Sequence, residues 1–180
     1  MRLRDFPEEE LFLQGSAACQ GCPGSAALRV AFKALGRETI LCVIASCTSV
    51  LQSPFPVSAL NLPTLNMAFA TGGATASGLT AAADRLVARG TFKEKPTILV
   101  WAGDGGTYDI GIQALSGAAE RNTDFIYVCY NNEAYSNTGT QRSGATPYAA
   151  WTSNTTRGKD EWRKDVAQIM VAHGVPYVAT

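Results

Sequence analysis

The sequence predicts an α/β protein with a mostly parallel sheet and helices on both faces. Short apolar runs rich in β-branched residues, which are typical of buried strands, alternate with helix-length segments. Two of these runs, residues 97–102 and 125–130, flank one helix-length segment, and each ends abruptly at polar or glycine-rich sequence. Strands that alternate with helices in this way favour a parallel sheet covered on both sides.

The other elements follow from the same patterns along the chain. Residues 1–18 are expected to form a loose lead-in, a proline-rich loop follows residue 48, and residues 133–159 form a long polar loop. The expected helices span residues 24–35, 71–89, 112–121 and 165–172, and the two further strands span residues 39–45 and 175–180. We expect residues 1–180 to make one domain.

The helix expected at residues 71–89 is rich in small side chains. Its glycine, alanine and serine positions would permit close approach of another backbone. That backbone belongs either to a partner subunit or to the protein's own sheet, and the sequence leaves both alternatives open.

Composition narrows the classes of function. Of the 180 residues, 46% are apolar, and 15 Lys and Arg balance 15 Asp and Glu. A net charge of zero gives no indication of binding to nucleic acid or to an anionic membrane. The polar, acidic start is unlike a signal peptide and no apolar run is long enough to span a bilayer, so we expect a cytoplasmic protein. Five cysteines in such a protein favour metal or redox chemistry over structural disulfides.

Two polar side chains are expected at neighbouring strand ends. Asp104 follows the first of the two apolar runs, and Asn132 follows the second. The carboxyl ends of neighbouring parallel strands lie side by side, where open α/β sheets bind ligands. A carboxylate and an amide oxygen there can hold a hard cation, and Gly105 and Gly106 let backbone N–H groups approach a phosphate. A dinucleotide-binding turn fits less well, because Tyr108 stands where a third glycine is expected.

Cys19 and Cys22 have the spacing of metal or cluster ligands. They could instead form a redox pair at the start of a helix, which Pro23 would suit. That motif requires a strand directly before it, and residues 16–18 do not supply one. A zinc site would need four ligands, and His173, the only histidine, lies far along the chain.

The two strand-end segments resemble the thiamine-diphosphate motif, in which Gly-Asp-Gly at the end of one strand is followed by Asn-Asn at the end of the next. The resemblance implies a thiamine-diphosphate-binding fold. It also implies that Asp104, Asn132 and the backbone carbonyl of Ala134 bind Mg²⁺, which clamps the diphosphate. The glycines of the first motif would border the diphosphate: Gly103, Gly105 and Gly106.

A wider set of segments narrows the resemblance. The chain resembles the thiamine-binding β subunit of the 2-oxoacid:ferredoxin oxidoreductases, pyruvate:ferredoxin oxidoreductase above all. The matching segments, which span nearly the whole chain, are residues 19–22, Cys47, and residues 103–111, 132–139 and 173–180. In that family Cys19, Cys22 and Cys47 would bind a 4Fe–4S cluster close to the thiamine, and Pro23 and Cys47 would approach the thiamine itself.

The resemblance also implies a reaction. Thiamine attacks the keto carbon of a 2-oxoacid, CO₂ leaves, electrons pass through iron–sulfur clusters to ferredoxin, and coenzyme A takes the acyl group. Asn137 is the candidate for contacting the oxygen of the reacting carbon. The glutamate that activates the aminopyrimidine comes from another subunit in this family, so we expect partner subunits. A non-redox thiamine decarboxylase or carboligase is the alternative, but it has no use for the three cysteines.

Two departures from the family pattern matter. The family's fourth cluster cysteine lies beyond residue 180, so we expect a fragment or part of a split protein. Cys42 and Cys129 are expected to be small core residues rather than replacements. Residues 65–73 lack the Glu-Asn expected in pyruvate enzymes. This departure concerns the substrate and not the cofactor: pyruvate leads, with oxalate, 2-oxoglutarate, branched-chain or aryl 2-oxoacids behind it.

Overall fold

The computed structural model describes residues 5–54 and 56–180. The strands are β1 (Thr39–Ile44), β2 (Thr64–Met67), β3 (Thr97–Gly103), β4 (Ile126–Tyr130), β5 (Ala134–Tyr135) and β6 (Gln141–Arg142). The α-helices are α1 (Pro23–Leu35), α2 (Cys47–Leu51), α3 (Gly72–Ala88), α4 (Ile112–Glu120) and α5 (Val166–Ala172). A π-helical turn spans Gly105–Asp109, and a 3₁₀ turn spans Ser136–Thr138.

The central sheet has four parallel strands in the order β2-β1-β3-β4. The two strands that precede the candidate site are neighbours, with Gly103 at the end of β3 paired with Tyr130 at the end of β4. The predicted parallel sheet is therefore confirmed, and so is the side-by-side placement of these two strand ends. The short strands β5 and β6 form a separate antiparallel pair.

Both faces of the sheet are buried, since alternate strand residues enter two apolar clusters. One face packs against α1 and α2 and includes Leu41, Val43, Leu99 and Trp101 with Leu28, Phe32 and Leu51. The other face packs against α3 and includes Cys42, Ile44, Ile98, Val100 and Ala102 with Ala76. This pattern confirms helices on both faces of the sheet.

The buried small residues of α3 pack against this chain's own elements, whereas others, among them Ala74 and Gly78, are exposed. A Cβ atom added to Gly73 would lie 2.3 Å from the carbonyl oxygen of Ala114 in α4, so only glycine fits there. A Cβ added to Gly72 would lie 3.3 Å from Ile44 and Val100 of the sheet. Of the two alternatives for this helix, close packing on the chain's own elements accounts for these buried positions.

Several loops predicted from the sequence contain short elements. The proline-rich loop includes β2, which pairs with β1 from Leu41 opposite Thr64 to Ile44 opposite Met67. The sequence does not predict β2 because it is a short edge strand with two exposed positions and no apolar run. The expected polar loop at residues 133–159 contains the β5–β6 pair. In the expected lead-in, Phe12 makes an antiparallel bridge with Leu60, and Leu11 is buried.

The strand expected at residues 175–180 is wrong, because this segment has no regular secondary structure. Among the described residues this segment pairs with no strand, and Tyr177 is 82% exposed. In the part of the chain that the structure describes, we find no helix with the length and apolar character needed to cross a membrane.

Candidate cofactor site at the carboxyl ends of the strands

Polar or sulfur-bearing residues follow three of the strands and lie at one edge of the sheet. Cys47 begins α2 directly after β1, Asp104 follows β3, and Asn132 follows β4. Because β1, β3 and β4 are parallel neighbours, these residues lie at the same edge. One polar atom of the Asn132 side-chain amide lies 4.0 Å from Sγ of Cys47, so the amide lies between Asp104 and this thiol.

The glycines after Asp104 lie close to side chains of other elements. A Cβ atom added to Gly105 would lie 1.9 Å from the ring of Tyr135, and one added to Gly106 would lie 3.3 Å from Ile44 and Phe69. The Tyr135 and Phe69 rings make an edge contact, with their centroids 5.9 Å apart. Gly105 therefore makes room for an aromatic ring of the chain itself. The approach of its N–H group to a phosphate remains a prediction.

Asp104 is a buried acid without a cationic partner. Its residue is 1% exposed, and no ion pair involving it is formed among residues 5–54 and 56–180. Burial raises the pKa of its carboxyl group above the usual value, and the negative charge of Asp109 raises it further. Hydrogen bonds from Ser143 and from the backbone N–H of Asn132 oppose that shift. Protonation or a bound cation would each offset the cost of burying this carboxylate.

The oxygen cluster, by which we mean the Asp104 carboxylate, the Asn132 side-chain amide and the Ala134 carbonyl, is tightly gathered. One polar atom of the Asn132 amide lies 2.7 Å from the Ala134 carbonyl oxygen and 2.9 Å from Oδ1 of Asp104. With the amide nitrogen at this position, Asn132 donates to both oxygens. With the amide oxygen there, three oxygens converge, which is favourable only around a cation. The structure thus brings together the three residues that the sequence predicts as Mg²⁺ ligands.

Of the thiols of Cys19, Cys22 and Cys47, that of Cys47 lies next to the Asn132 amide of the oxygen cluster, and the three thiols are less tightly gathered than the oxygen cluster. The N–H of Cys22 donates to the carbonyl of Cys19 at 3.1 Å, which forms a turn just before α1. Burial raises the pKa of Cys47, and the charges of Cys22 and Cys19 raise it further, so the three side chains share one region. Within the described ranges, no group of three Cys, His, Asp or Glu side chains is close enough to hold a metal ion.

Pro23 and Asn137 lie next to these thiols. Pro23 is the first residue of α1 and follows Cys22 directly. Asn137 is exposed in the 3₁₀ turn, and its backbone N–H interacts with the thiol of Cys47. The structure therefore collects all the residues predicted for cofactor binding around one edge of the sheet, while their roles remain predictions.

Cys42 and Cys129 occupy strand positions. Cys42 is fully buried in the sheet, where burial raises the pKa of its thiol to about 11. Burial also raises the pKa of Cys129 to about 11, and Thr107 forms a hydrogen bond with it. The expectation of small packed residues holds for Cys42, and Cys129 is half-buried near the end of β4.

The loop after β6 contributes contacts that the sequence analysis does not predict. Ser143 is completely buried, and its hydroxyl donates a hydrogen bond to Oδ2 of Asp104. This bond leaves Oδ1 of Asp104 facing Asn132. No local signal marks Ser143, because it lies 39 positions from its partner in a segment that resembles an ordinary polar loop.

Comparison with known proteins identifies the class to which this fold and site belong. The model of the C-terminal TPP-binding domain of thiamine pyrophosphate enzymes matches residues 45–180. The chain therefore belongs to the thiamine pyrophosphate enzyme family. The match covers both strand-end motifs and Cys47.

Individual relatives narrow the comparison. The chain is 49% identical to the ketoisovalerate oxidoreductase subunit VorB of Pyrococcus abyssi, over 97% of this chain and 58% of that protein. It is 45% identical to the pyruvate synthase subunit PorB of Methanothermobacter thermautotrophicus, over 97% of this chain and 61% of that protein. The chain thus spans about three-fifths of the length of these relatives. They confirm the resemblance to 2-oxoacid oxidoreductase subunits that the motifs indicate.

A solved structure supports the fold. The chain is similar to a 2-oxoglutarate:ferredoxin oxidoreductase from Magnetococcus marinus, with a TM-score of 0.73, 21% identity, and coverage of 98% of this chain and 56% of that one. At this identity the likeness concerns the architecture of the chain.

Proposed function

We propose that this chain binds thiamine diphosphate through Mg²⁺ and forms part of an oxidoreductase that oxidatively decarboxylates a small 2-oxoacid. The observation that carries the proposal is the oxygen cluster, in which a buried carboxylate, a side-chain amide and a backbone carbonyl meet at a strand edge. The membership of residues 45–180 in the thiamine pyrophosphate enzyme family supplies the cofactor class.

The residues present fit a divalent cation. Mg²⁺ prefers oxygen ligands and is usually held by one or two carboxylates together with substrate phosphates. Asp104, Asn132 and the Ala134 carbonyl would hold the ion. The N–H groups of Gly105 and Gly106, in the first turn that follows Asp104, would face the diphosphate, since early helical N–H groups lack partners within their own helix.

Thiamine diphosphate, when bound, supplies a nucleophile for the keto carbon and accepts the electron pair released with CO₂. The residues of this chain bind and orient it. We propose that the Asn137 side chain contacts the oxygen of the reacting carbon, and that Pro23 and Cys47 border the cofactor on the side of the thiols. Because the chain offers no glutamate in a matching motif, the group that activates the aminopyrimidine would come from a partner subunit.

The three thiols support an electron-transfer function. We propose that Cys19, Cys22 and Cys47 bind a 4Fe–4S cluster that passes electrons towards ferredoxin, with a fourth ligand outside residues 1–180. The thiolate is the form that binds iron, and the turn between Cys19 and Cys22 has the local spacing such ligands use. Because the cytoplasm keeps thiols reduced, cysteine ligands of this kind fit the cytoplasmic location that we propose.

We propose that the substrate is a 2-oxoacid, and two such acids are the leading candidates. Pyruvate leads from the motifs, and a branched-chain 2-oxoacid is supported by the relatives named ketoisovalerate oxidoreductase. Phe69, which follows β2 and contacts Tyr135, lies in the segment where the sequence departs from pyruvate enzymes. We expect coenzyme A to accept the acyl group.

The experiment that tests the function uses the complete subunit with its partner subunits, purified without oxygen. Thiamine diphosphate, magnesium and iron are measured, and reduction of ferredoxin or a viologen dye is followed with pyruvate, ketoisovalerate, 2-oxoglutarate and oxalate. We expect bound thiamine diphosphate, iron with absorbance in the visible, and turnover with at least one of these acids. A complex that binds thiamine diphosphate but contains no iron would instead support a non-redox decarboxylase.

A further inference from the structure

Asp109, at the end of the π-helical turn, receives hydrogen bonds from three separate segments of the chain. The hydroxyl of Tyr135 donates to Oδ2 at 2.7 Å, and the backbone N–H of Gly144 donates to the same atom at 2.9 Å. Nζ of Lys164 donates to Oδ1 at 2.9 Å. No local motif predicts a function for Asp109, which lies five positions beyond Asp104.

Two of the three donors adjoin a residue of the candidate site. Tyr135 follows Ala134, whose carbonyl belongs to the oxygen cluster, and Gly144 follows the serine that donates to Asp104. Lys164 strengthens the same connection, because its backbone N–H donates to the carbonyl of Gly144 at 2.9 Å. The carboxylate of Asp109 therefore links the two segments that contact Asp104. One contains Asn132 and Tyr135, and the other contains Ser143 and Gly144.

The local packing leaves little freedom in this arrangement. A Cβ atom added to Gly144 would lie 2.6 Å from Oδ1 of Asp109, so the loop backbone approaches the carboxylate directly. The Tyr135 ring lies against Gly105, and its hydroxyl donates to Asp109. The Asp109 side chain is 22% exposed, so these hydrogen bonds are largely shielded from water.

We propose that Asp109 is a positioning residue for the cofactor site: it holds the Ala134 carbonyl and the Ser143 hydroxyl in place around Asp104. It thereby sets the affinity for the divalent cation and for the diphosphate bound with it. This inference rests on the proposed function. Partners that orient metal ligands affect metal affinity without touching the metal.

The test replaces Asp109 with asparagine in the complete subunit with its partners. The substitution keeps the size of the side chain but removes the charge that pairs with Lys164. Calorimetric titration with thiamine diphosphate at several Mg²⁺ concentrations should give a dissociation constant raised about 10- to 100-fold for Asp109→Asn. Higher Mg²⁺ should restore part of the lost affinity. Tyr135→Phe, which removes one hydrogen bond and keeps the ring, should raise the constant about fivefold.

The matched control is Asp124→Asn. Asp124 also pairs with a lysine, Lys95 at 3.0 Å, but its side chain is 82% exposed. Asp124→Asn should leave the dissociation constant for thiamine diphosphate unchanged. If Asp109→Asn lowers the free energy of unfolding but binds with the wild-type constant, Asp109 is merely structural and the inference fails. If Asp109→Asn does not fold, an unchanged constant for Tyr135→Phe overturns it. If the wild type shows no Mg²⁺-dependent binding, the proposed function fails and this inference fails with it.

Discussion

The oxygen cluster and the three thiols lie at the same edge of the sheet, but the chain holds them in different ways. Asp104 is 1% exposed and bonded to Ser143, and the Asn132 amide lies within 3 Å of two further oxygens. Cys19 is exposed, and Cys22 and Cys47 are half-buried. Two strands and a loop fix the first region, whereas a turn before α1 and the start of α2 carry the second.

This difference indicates which part of the site is preorganised. The oxygen cluster is assembled by strand register and buried hydrogen bonds, so binding a cation there requires little rearrangement. The thiols share a region but are not spaced for ligation in the described part of the chain. A metal cluster bound to them would itself complete their arrangement, so that binding and local ordering are coupled. Losing the thiols should therefore leave the oxygen cluster intact.

The largest expected effect follows from removing the buried acid. Asp104→Ala deletes the only carboxylate of the oxygen cluster, so the affinity for thiamine diphosphate in the presence of Mg²⁺ should fall more than about 100-fold, beyond the loss seen for residues that only orient a ligand. Titration calorimetry measures it. The control is Asp84→Ala, an exposed acid paired with Lys95 at 2.8 Å, which should bind normally. Unchanged affinity in Asp104→Ala would show that the oxygen cluster is not the cation site.

The second effect separates the two regions. Cys22→Ser should lose most of its iron and the reduction of ferredoxin in the complete complex, because serine is a poor substitute for thiolate at iron. It should still bind thiamine diphosphate. Cys42→Ser changes a thiol buried in the sheet and should keep its iron. Iron analysis and calorimetry on the same samples decide the matter, and equal iron in the two variants would mean that the ligands are misassigned.

The third effect concerns how the oxygen cluster is built. In Gly105→Ala the new methyl group meets the Tyr135 ring, so the ring must move, and we expect a loss of about 1–3 kcal/mol in the free energy of unfolding. Gly78→Ala is the matched control, since nothing lies within 4 Å of a Cβ at that exposed helix position. It should gain about 0.5–1 kcal/mol. Urea unfolding of both variants checks this, and equal midpoints would contradict the close packing at Gly105.

The parts of this molecule that sequence reasoning predicts are those encoded locally. The strands β1, β3 and β4 are runs of apolar residues, and their bounds agree with prediction to within a residue or two. Asp104 and Asn132 could be placed together because both directly follow such strands. The short strand β2 has no comparable run, and it forms because β1 offers a free edge.

The contacts that sequence reasoning misses depend on the long loop after β4. Ser143 reaches Asp104 across 39 positions, and Gly144 reaches Asp109 across 35. Nothing near Ser143 in the sequence distinguishes it from other polar loop residues. The π-helical turn that ends at Asp109 also has no local sequence signal, and its Gly105 lies against the ring of Tyr135, 30 positions further along the chain. Such positions become visible only when the tertiary structure brings their partners together.

The smallest expected effect concerns the support of the thiols. Glu10 accepts a hydrogen bond from Nε of Arg29 at 2.8 Å and forms an ion pair with Lys33 at 2.8 Å. Because both partners belong to α1, these contacts hold the segment that leads to Cys19 against that helix. The Arg29 hydrogen bond, followed by that of Lys33, lowers the pKa of Glu10 from 4.5 to about 2. A lowered carboxyl pKa contributes stability above the unfolded value, and this contribution is lost as the pH falls from 4.5 to about 2. Because the pair is exposed, the contribution should be small and screened by salt.

Glu10→Gln should therefore unfold slightly more easily than the wild type at neutral pH, and the difference should shrink both in acid and in molar salt. Hydrogen exchange of residues 10–19 should rise in the variant, while exchange around Asp104 stays unchanged. Glu94→Gln, an exposed change outside this segment, is the control. A difference that persists in acid and in high salt would show that Glu10 does not act through its charge. Faster exchange around Asp104 would show that the thiols and the oxygen cluster are held as one unit.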